Sequence, residues 1–322
     1  MKLLVLGGPK FLGRALADAA LERGHELTFF NRGRTNPELY PDVERLIGDR
    51  DGDLGVLHGR RWDAVIDTCG YVPRVVRASA EVLSGSGRYC FVSSISVYAD
   101  LSLPPNEEST LAPIGDQPIE QLTPDFANYG PLKALSEAAI AEVFGPRALV
   151  VRPGLIVGPY DPTGRFTYWP HRVARGGEVL APAPPHRQVQ FIDVRDLAEW
   201  TLDLCEHGVG GTFNATNPGV TWGELLEACC SLAGAEVELV WVPDEFLTQQ
   251  GVGEWMELPM WIADPANAGA NEAVVDRALG AGLRFRSLED TVRGAYEDAP
   301  TTEEAGLSAE REASLLAEWH AR

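Results

Sequence analysis

The fold is decided by the stretch KLLVLGGPKFLG, residues 2–13. A short, mainly apolar run ends at Leu6, a glycine-containing turn follows, and residues 14–24 continue as an amphipathic stretch that closes at Gly24. Residues 25–32 then supply a second apolar strand. Strand, glycine turn, helix and strand in this order predict a βαβ unit, in which the pyrophosphate of a dinucleotide lies on the N-terminus of the helix.

The glycine turn supplies the first candidate cofactor contacts. Gly7 and Gly13 match the outer glycines of the dinucleotide-binding fingerprint, whereas Lys10 stands where a middle glycine is usual. A lysine at this point places a cation beside the expected phosphates. We expect the turn to contact the cofactor through Gly7, Gly8, Lys10, Phe11, Leu12 and Gly13.

The end of the second strand indicates which dinucleotide binds. NAD-specific proteins carry an acidic residue there for the ribose hydroxyls, but this chain has Asn31, Arg32 and Arg34. Guanidinium groups bind phosphate oxygens bidentately, so the two arginines favour the 2′-phosphate of NADP(H) over NAD(H), unless they form only a solvated loop. Two further strand ends, at Asp49 and Cys69, are expected to line the adenine and its ribose.

Catalytic chemistry is indicated by Tyr129 and Lys133, four residues apart in a chain with three lysines. Residues at this spacing share one face of a helix, so an ammonium group can lie beside the phenol and favour its ionised form. Such a tyrosine can act as a general base, and the alternative is an exposed helical contact. Residues 88–98 read as an apolar strand that ends in hydroxyls, and Ser94 among them can bond a substrate oxygen at the carboxyl edge of a parallel sheet.

Five motifs occur in the order typical of the extended short-chain dehydrogenase/reductase family, the NAD-dependent epimerase/dehydratase group. They are the glycine turn, Ser-Ser-x-x-Val-Tyr at 93–98, Tyr-x-x-x-Lys at 129–133, Arg-Pro-Gly at 152–154 with Gly-Pro at 158–159, and Phe-Ile-Asp-Val-Arg-Asp at 191–196. The chain resembles this family over about residues 1–295. The resemblance implies an α/β fold, a Rossmann-type doubly wound parallel sheet with a smaller interleaved substrate-binding lobe.

The resemblance also implies roles for single residues. Ser94 would bond the substrate oxygen, Tyr129 would be the acid/base, and Lys133 would lower the pKa of the tyrosine and hold the nicotinamide ribose. Pro153 would flank the nicotinamide. Lys10 and the Phe-Asn-Arg-Gly strand end are similar to an atypical branch that includes chloroplast stem-loop-binding proteins. The family commonly dimerises through helices that include the tyrosine helix, so a homodimer is expected.

Departures from the family pattern narrow the chemistry. Sugar-nucleotide dehydratases carry an Asp-Glu pair after the catalytic Ser/Thr, whereas this chain has Ile95 and Ser96. Without that extra acid and base, we do not expect dehydration. Hydride transfer between nicotinamide and a secondary alcohol or ketone remains, as does a 4-epimerase cycle of oxidation, flip and reduction. A third alternative, from another class, is a non-catalytic dinucleotide-binding or regulatory protein.

The substrate region carries few of the cations that a nucleotide sugar requires. Val189 stands where the family pattern has a diphosphate-binding arginine, so a diphosphate would need Arg165, Arg172 or Arg187. Aromatic side chains are frequent instead, and they either wall an apolar pocket or pack the core: Phe166, Tyr168, Trp169, Trp241, Phe246, Trp255 and Trp261. This composition favours a neutral, partly apolar alcohol or ketone as substrate.

Composition limits the partners and the location. The net charge of −20 argues against binding to nucleic acid or anionic membranes, because clustered Lys and Arg hold phosphate backbones. The five cysteines show no metal-binding spacing, so no metal site is expected. The first strand leaves no room for a signal-peptide core, and no apolar run reaches the length of a membrane span, so we expect a cytoplasmic enzyme that acts on a small molecule.

The domain organisation follows from the same patterns. Residues 1–155 are expected to form the dinucleotide-binding domain, with 187–215 returning to its sheet, and residues 156–296 to form mainly the substrate-binding lobe. Residues 297–322 comprise an acidic linker and a C-terminal helix, which we expect to be a frayed tail or to dock on a partner subunit. The loop at 101–127 is expected to be a lid or a surface excursion.

Overall fold

A computed structural model describes residues 1–115, 128–298 and 305–322. Much of the predicted loop at 101–127 and most of the acidic linker lie outside the described residues. The described strands, in chain order, are β1 Lys2–Leu6, β2 Glu26–Asn31, β3 Glu44–Ile47, β4 Ala64–Asp67, β5 Arg88–Val92, β6 Ala148–Pro153, β7 Leu155–Val157, β8 Gly177–Pro182, β9 Gln188–Val189, β10 Phe191–Asp193, β11 Gly211–Ala215, β12 Val220–Thr221, β13 Val237–Val242, β14 Glu254–Trp255 and β15 Leu258–Pro259.

Helices connect most of these strands. In chain order they are α1 Leu12–Glu22, α2 Pro73–Val82, α3 Tyr129–Phe144, α4 Tyr168–Ala174, α5 Val194–Glu206, α6 Trp222–Ala233, α7 Asp244–Gln249, α8 Asp276–Gly280, α9 Leu288–Glu297 and α10 Ala309–His320. Short 3₁₀ helices occupy Gly55–Leu57, Ile95–Val97, Gly145–Arg147 and Pro265–Asn271.

The central element is a seven-stranded sheet in the order β3-β2-β1-β4-β5-β6-β11. All six strand pairings in it are parallel. Because side chains alternate across a strand, Leu3 and Val5 pack with α1 and α5 on one face, while Leu4 and Leu6 pack with α2 and α3 on the other. The predicted doubly wound parallel sheet is confirmed.

The glycine turn after β1 has a steric cause. Gly7 has a φ of 130°, a conformation that side chains rarely adopt, and a Cβ there would lie 2.5 Å from Oγ1 of Thr68. The chain therefore passes close to the end of β4 before α1 begins at Leu12. The turn therefore lies at the carboxyl edge of the sheet. There the chain passes from β1 to α1 on one face of the sheet and from β4 to α2 on the other face.

The second lobe is built around the parallel pair β8 and β13, with α4, α6, α9 and α10 packed on it. Its core contains most of the aromatic side chains that the sequence allowed as pocket walls. The side chains that are fully or almost fully buried in this core are Phe166, Trp169, Phe246 and Trp261. The pocket-wall interpretation is therefore wrong for these four residues, because they fill the interior of the lobe.

The C-terminal helix is also part of this core. Leu315 and Leu316 are buried in it, and Trp319 packs on Phe246 with ring centroids 5.3 Å apart. Glu312 accepts a 2.5 Å hydrogen bond from Nε of Arg172. Neither the frayed tail nor docking on a partner subunit describes α10, because its apolar face is covered by its own chain.

Segments of both parts alternate along the chain. β11 and α5 return to the central sheet and its α1 face, and the α8 segment packs there through Ala278 and Leu283. The described part of the 101–127 loop lies against residues 269–274, through backbone hydrogen bonds at Leu101 and Pro105. This part of the loop is thus a packed surface segment.

Candidate active site

The predicted catalytic side chains lie at the carboxyl edge of the central sheet. Ser94 follows β5, and Tyr129 opens α3, which runs back along β5 and β6. Pro153 ends β6 one strand away. Because the strands are parallel, their carboxyl ends meet at one edge, and residues distant in the sequence are brought together there.

The hydroxyl of Ser94 acts on the phenol of Tyr129 in the direction that lowers its pKa, and the Ser94 Oγ also donates to Oγ of Ser96 at 3.1 Å. Ser94 is the N-cap of the 3₁₀ turn Ile95–Val97, and its Oγ accepts the backbone N–H of Ser96 at 3.1 Å, which fixes the hydroxyl in place. Gly130 makes the approach possible, because a Cβ there would lie 2.0 Å from the carbonyl oxygen of Ser96.

Lys133 lies under this pair and is almost completely buried. Its Nζ donates a hydrogen bond of 2.8 Å to the carbonyl oxygen of Val92 and stands 4.8 Å from the ring centroid of Tyr71, 4.9 Å from that of Phe91 and 5.8 Å from that of Tyr129. Burial lowers the pKa of Lys133 to about 8, although the nearby Asp67 and Cys69 act in the opposite direction.

The pKa of Tyr129 is raised, chiefly by burial. The hydrogen bond with Ser94 and the positive charge of Arg165 oppose the rise. Our expectation that Lys133 lowers this pKa is not met by this structure, because the Lys133 amine lies beside the ring and points its hydrogen bond at Val92. The phenol therefore remains a proton donor at neutral pH.

The glycine turn and the end of β2 form the predicted cofactor cradle. Nδ2 of Asn31 donates to the carbonyl oxygen of Gly7 at 3.0 Å, and its Oδ1 accepts the N–H of Gly33 at 2.7 Å. Asn31 thus ties the turn to the strand end and is itself occupied. Arg32 and Arg34 are exposed and form no ion pair within the described part of the chain.

The other predicted cofactor residues are found around this cradle. Gly8, Lys10, Phe11, Leu12 and Gly13 follow in the turn, with Lys10 exposed and Leu12 buried as the first residue of α1. Asp49 follows β3, where its Oδ1 accepts the N–H of Asp51 at 3.0 Å. Cys69 follows β4, and its Sγ donates to the carbonyl oxygen of Leu6 at 3.4 Å. These residues follow β1, β3 and β4 at the carboxyl edge of the sheet, where this type of fold binds dinucleotides, so the residues present fit a dinucleotide.

Sequence reasoning missed several residues at this edge. Tyr71 places its ring 6.3 Å from that of Tyr129 and against the Lys133 amine. Arg50 makes two hydrogen bonds of 2.7 Å to the buried carboxylate of Asp67, which also accepts a hydrogen bond from Tyr89 at 2.8 Å. Tyr71 could have been found only from its position, two residues after Cys69 at the end of a strand. The residues around Arg50 in the sequence do not predict that it pairs with Asp67.

Arg172 and Arg187 are engaged within the protein. Arg172 pairs with Glu312, and Arg187 pairs with Asp244 at 2.5 Å. The interpretation of either as a diphosphate ligand is therefore wrong for this structure, since each would first have to break an ion pair. Arg165 differs, because its Nε is buried with no hydrogen-bond partner among the described residues.

Two buried hydroxyls near the catalytic residues also lack partners in the described structure. They are Oγ of Ser93, beside Ser94, and Oγ1 of Thr216, directly after β11. An added Cβ on Gly154 would lie 2.8 Å from that Thr216 oxygen, so the segment after Pro153 passes close to it. Buried polar groups normally have a partner, which makes this edge suited to a polar ligand.

A protein-family comparison agrees with this geometry. Residues 60–216 match the model of the NAD dependent epimerase/dehydratase family. Over these residues the chain carries the domain of this family. The matched region contains Ser94, Tyr129 and Lys133, and the glycine turn at residues 7–13 lies before it.

Individual proteins show how far the similarity extends. The chain is 27% identical over 273 residues to a 41 kDa chloroplast stem-loop binding protein from Arabidopsis thaliana, covering 76% of this chain and 67% of that protein. It is 29% identical to a ceramide reductase from Caulobacter vibrioides, covering 42% and 43% of the two chains. It is also 29% identical to a 2-alkyl-3-oxoalkanoate reductase from Stenotrophomonas maltophilia, covering 50% and 52%. The chain thus aligns with about half of the length of each reductase.

Solved structures show the same fold. UDP-glucuronic acid 4-epimerase from Bacillus cereus, in complex with NAD, superposes with a TM-score of 0.63 at 16% identity, over 92% of this chain and 98% of that one. The human epimerase family protein SDR39U1, with NADPH, gives a TM-score of 0.61 at 19% identity, over 92% and 100%. A nicotinamide cofactor is therefore supported for the fold, in either the NAD or the NADP form.

Two searches of the described residues complete the survey. No helix among them is both long and apolar enough to cross a lipid bilayer. No group of three or more His, Cys, Asp or Glu side chains in the same part of the chain has the geometry of a metal site.

Proposed function

We propose that this protein is an NADP(H)-dependent oxidoreductase that exchanges hydride with a secondary alcohol or ketone, with Tyr129 as the acid/base. The observation that carries the proposal is the buried amine of Lys133, 5.8 Å from the ring centroid of Tyr129, together with the hydroxyl of Ser94, which acts to lower the pKa of the phenol. This constellation stands at the carboxyl edge of the sheet beside the glycine turn.

The chain's own residues handle the proton. In reduction, Tyr129 donates its phenolic proton to the substrate oxygen as that oxygen gains negative charge, and the raised pKa keeps the proton available at neutral pH. Ser94 donates a hydrogen bond to the same oxygen and fixes its position. The nicotinamide, when bound, supplies the hydride in this direction and accepts it in the other. Lys133 would hold the nicotinamide ribose, and Pro153 would flank the ring.

The preference for NADP(H) rests on Arg32 and Arg34. Both are exposed at the end of β2 and form no ion pair in the described part of the chain, so their guanidinium groups are available to a phosphate. Asn31 is occupied by the glycine turn and supplies no carboxylate for the ribose hydroxyls of NAD. The turn residues Gly7 to Gly13, together with Asp49 and Cys69, would hold the rest of the dinucleotide.

Reduction is favoured over 4-epimerisation because Arg172 and Arg187 are both held by carboxylates of the protein. Two of the relatives are named as reductases. We further propose a homodimer that binds no nucleic acid. The net charge of −20 opposes a phosphate backbone, although one relative is named as a stem-loop binding protein.

Tyr129→Phe tests the catalytic assignment. The variant keeps the ring and loses the proton, so we expect kcat to fall about 1,000-fold while the Kd for NADPH changes less than about 3-fold. Tyr296→Phe is a matched control, because Tyr296 lies on α9 against His171. Cofactor identity is tested first by denaturing the purified protein and analysing any released dinucleotide by mass spectrometry. Unchanged turnover in Tyr129→Phe would refute the mechanism.

The cofactor preference has its own test. We expect the double variant R32Q/R34Q to bind NADPH about 10- to 100-fold more weakly and NADH with unchanged affinity, as measured by fluorescence titration. Arg293→Gln serves as the control, because Arg293 is an exposed arginine on α9. Tightly retained NAD in the purified protein, or equal weakening for both dinucleotides, would contradict the assignment.

A further inference from the structure

A cation of the substrate lobe points to the chemical class of the substrate. Arg165 lies on the loop between β7 and α4, and its guanidinium carbon stands 5.2 Å from the ring centroid of Trp255. Its Nε is buried without a hydrogen-bond partner among the described residues, and no ion pair within 4.0 Å is found for it there. Its positive charge also acts to lower the pKa of the Tyr129 phenol. Arg165 is therefore a half-buried cation of the substrate lobe that acts electrostatically on Tyr129.

Comparable arginines of this protein are paired. Arg152 makes hydrogen bonds of 3.0 and 2.6 Å to the two carboxylate oxygens of Glu137, and Arg172 is held by Glu312. A guanidinium group carries five N–H donors, and leaving them desolvated without acceptors is unfavourable. Arg165 has no such acceptor among the described residues, so we look for its partner in a bound ligand.

The surroundings hold Arg165 in place without neutralising it. Trp255, which stacks on it, has a φ of 68°, an unfavourable conformation for a residue with a Cβ. The buried carboxylate of Asp161 acts on the charge of Arg165 without forming an ion pair with it within 4.0 Å. Its Oδ1 accepts the N–H of Thr163 at 2.8 Å, and its Oδ2 has no partner among the described residues. Burial raises the pKa of Asp161, and the positive charge of Arg165 opposes that rise.

We propose that Arg165 is a specificity-determining residue that binds a carboxylate of the substrate. The inference rests on the proposed function and deepens it: the substrate is a hydroxy acid or the matching oxo acid, rather than the neutral alcohol that the sequence favoured. A planar guanidinium binds a carboxylate bidentately, which would satisfy the buried donors of Arg165.

A diphosphate is a poorer match for this single cation, because Arg172 and Arg187 are held by carboxylates of the protein. In the proposed reaction, oxidation breaks the carbinol C–H and O–H bonds of the hydroxy acid. The hydride passes to NADP⁺, the proton passes to Tyr129, and the carboxylate on Arg165 is unchanged.

The experiment compares acids with their own esters. Wild-type protein with NADP⁺ is given short- to long-chain 2-hydroxy and 3-hydroxy acids, each beside its methyl ester, and NADPH formation is followed. The two acid series distinguish the spacing of the carboxylate. UDP-glucuronic acid against UDP-glucose forms a third pair, since these sugars differ by a carboxylate near carbon 4. The variants are R165M, R165K and the control R322M, whose arginine stacks on Phe246 away from the site.

We expect wild-type protein to prefer one acid series over its esters, and R165M to lower kcat/KM for those acids about 100-fold but for the esters less than about 3-fold. For the acids, kcat/KM of R165K should lie between the values of wild type and R165M, because lysine keeps the charge but cannot bind a carboxylate bidentately. R322M should match wild type. If Arg165 acts only on the pKa of Tyr129, R165M lowers kcat/KM for the acids and for the esters by the same factor. That result overturns the inference. Ester oxidation as fast as that of the acids overturns it and leaves the proposed function standing. Activity on none of the pairs, without nicotinamide binding, overturns both.

Discussion

Replacing Gly130 by alanine should separate the two catalytic hydroxyls without touching either of them. Gly130 lies in the first turn of α3, directly after Tyr129, and packs on the backbone of the Ser94–Val97 segment. An added Cβ would lie 2.0 Å from the carbonyl oxygen of Ser96, whereas such contacts essentially never fall below 3.0 Å. The helix and the segment must therefore move apart by about 1 Å or more.

The size of the effect follows from that displacement. A misplacement of about 1 Å between catalytic groups costs about 100-fold in rate, so we expect kcat of Gly130→Ala to fall about 100-fold. Overpacking should lower the free energy of unfolding by about 1–3 kcal/mol. The Kd for NADPH should change little, because the glycine turn and Arg32 lie on other elements.

The assay is steady-state turnover with the best hydroxy acid or ketone found, together with NADPH titration and denaturant unfolding of the same preparation. Gly280→Ala is the matched control, because Gly280 is exposed at the end of α8 and a Cβ there meets no atom within 4 Å. Wild-type kcat in Gly130→Ala, with the protein folded, would refute the view that this contact sets the position of Tyr129.

Two other substitutions probe the support of the site. Arg152→Met leaves the carboxylate of Glu137 buried without its partner, so the free energy of unfolding should drop by about 3–5 kcal/mol, and the double variant R152M/E137L should recover much of that loss in urea denaturation. Ser94→Ala removes the hydrogen bond that lowers the pKa of Tyr129, and because alcohol oxidation requires the phenolate, the rise of kcat/KM with pH should move to higher pH. A rise that stays in place or moves to lower pH would show that Ser94 does not act on the phenol.

The parts of the fold that local patterns determine were predictable from the sequence. The run that ends at Leu6, the glycine turn and the amphipathic stretch to Gly24 form β1, the turn and α1. Tyr129 and Lys133 lie on one helix, and Ser94 ends a strand beside them. Each of these patterns depends on neighbours within a few residues, which the sequence displays directly.

The remaining features depend on contacts between distant segments. The sequence could not show that the amine of Lys133 would be directed at the carbonyl oxygen of Val92, 41 residues away, rather than at the phenol. It could not show whether Trp169 lines a pocket or packs in the core, because an aromatic side chain suits either position. Likewise, Arg172 and Arg165 looked equivalent, and only the position of Glu312, 140 residues after Arg172, distinguishes them.

The return of β11 to the edge of the sheet limits how this chain can be recombined with its relatives. β11 pairs with β6, but β7 to β10 and α4, which belong to or border the second lobe, are inserted between them in the chain. The substrate lobe is therefore not one contiguous cassette. A chimera that exchanged everything after β6 would also replace a strand of the cofactor sheet and the helix α5 that covers α1. To give this chain a new substrate specificity, the β10–α5–β11 segment must be kept native. At least two separate crossover points are then needed on each side of that segment.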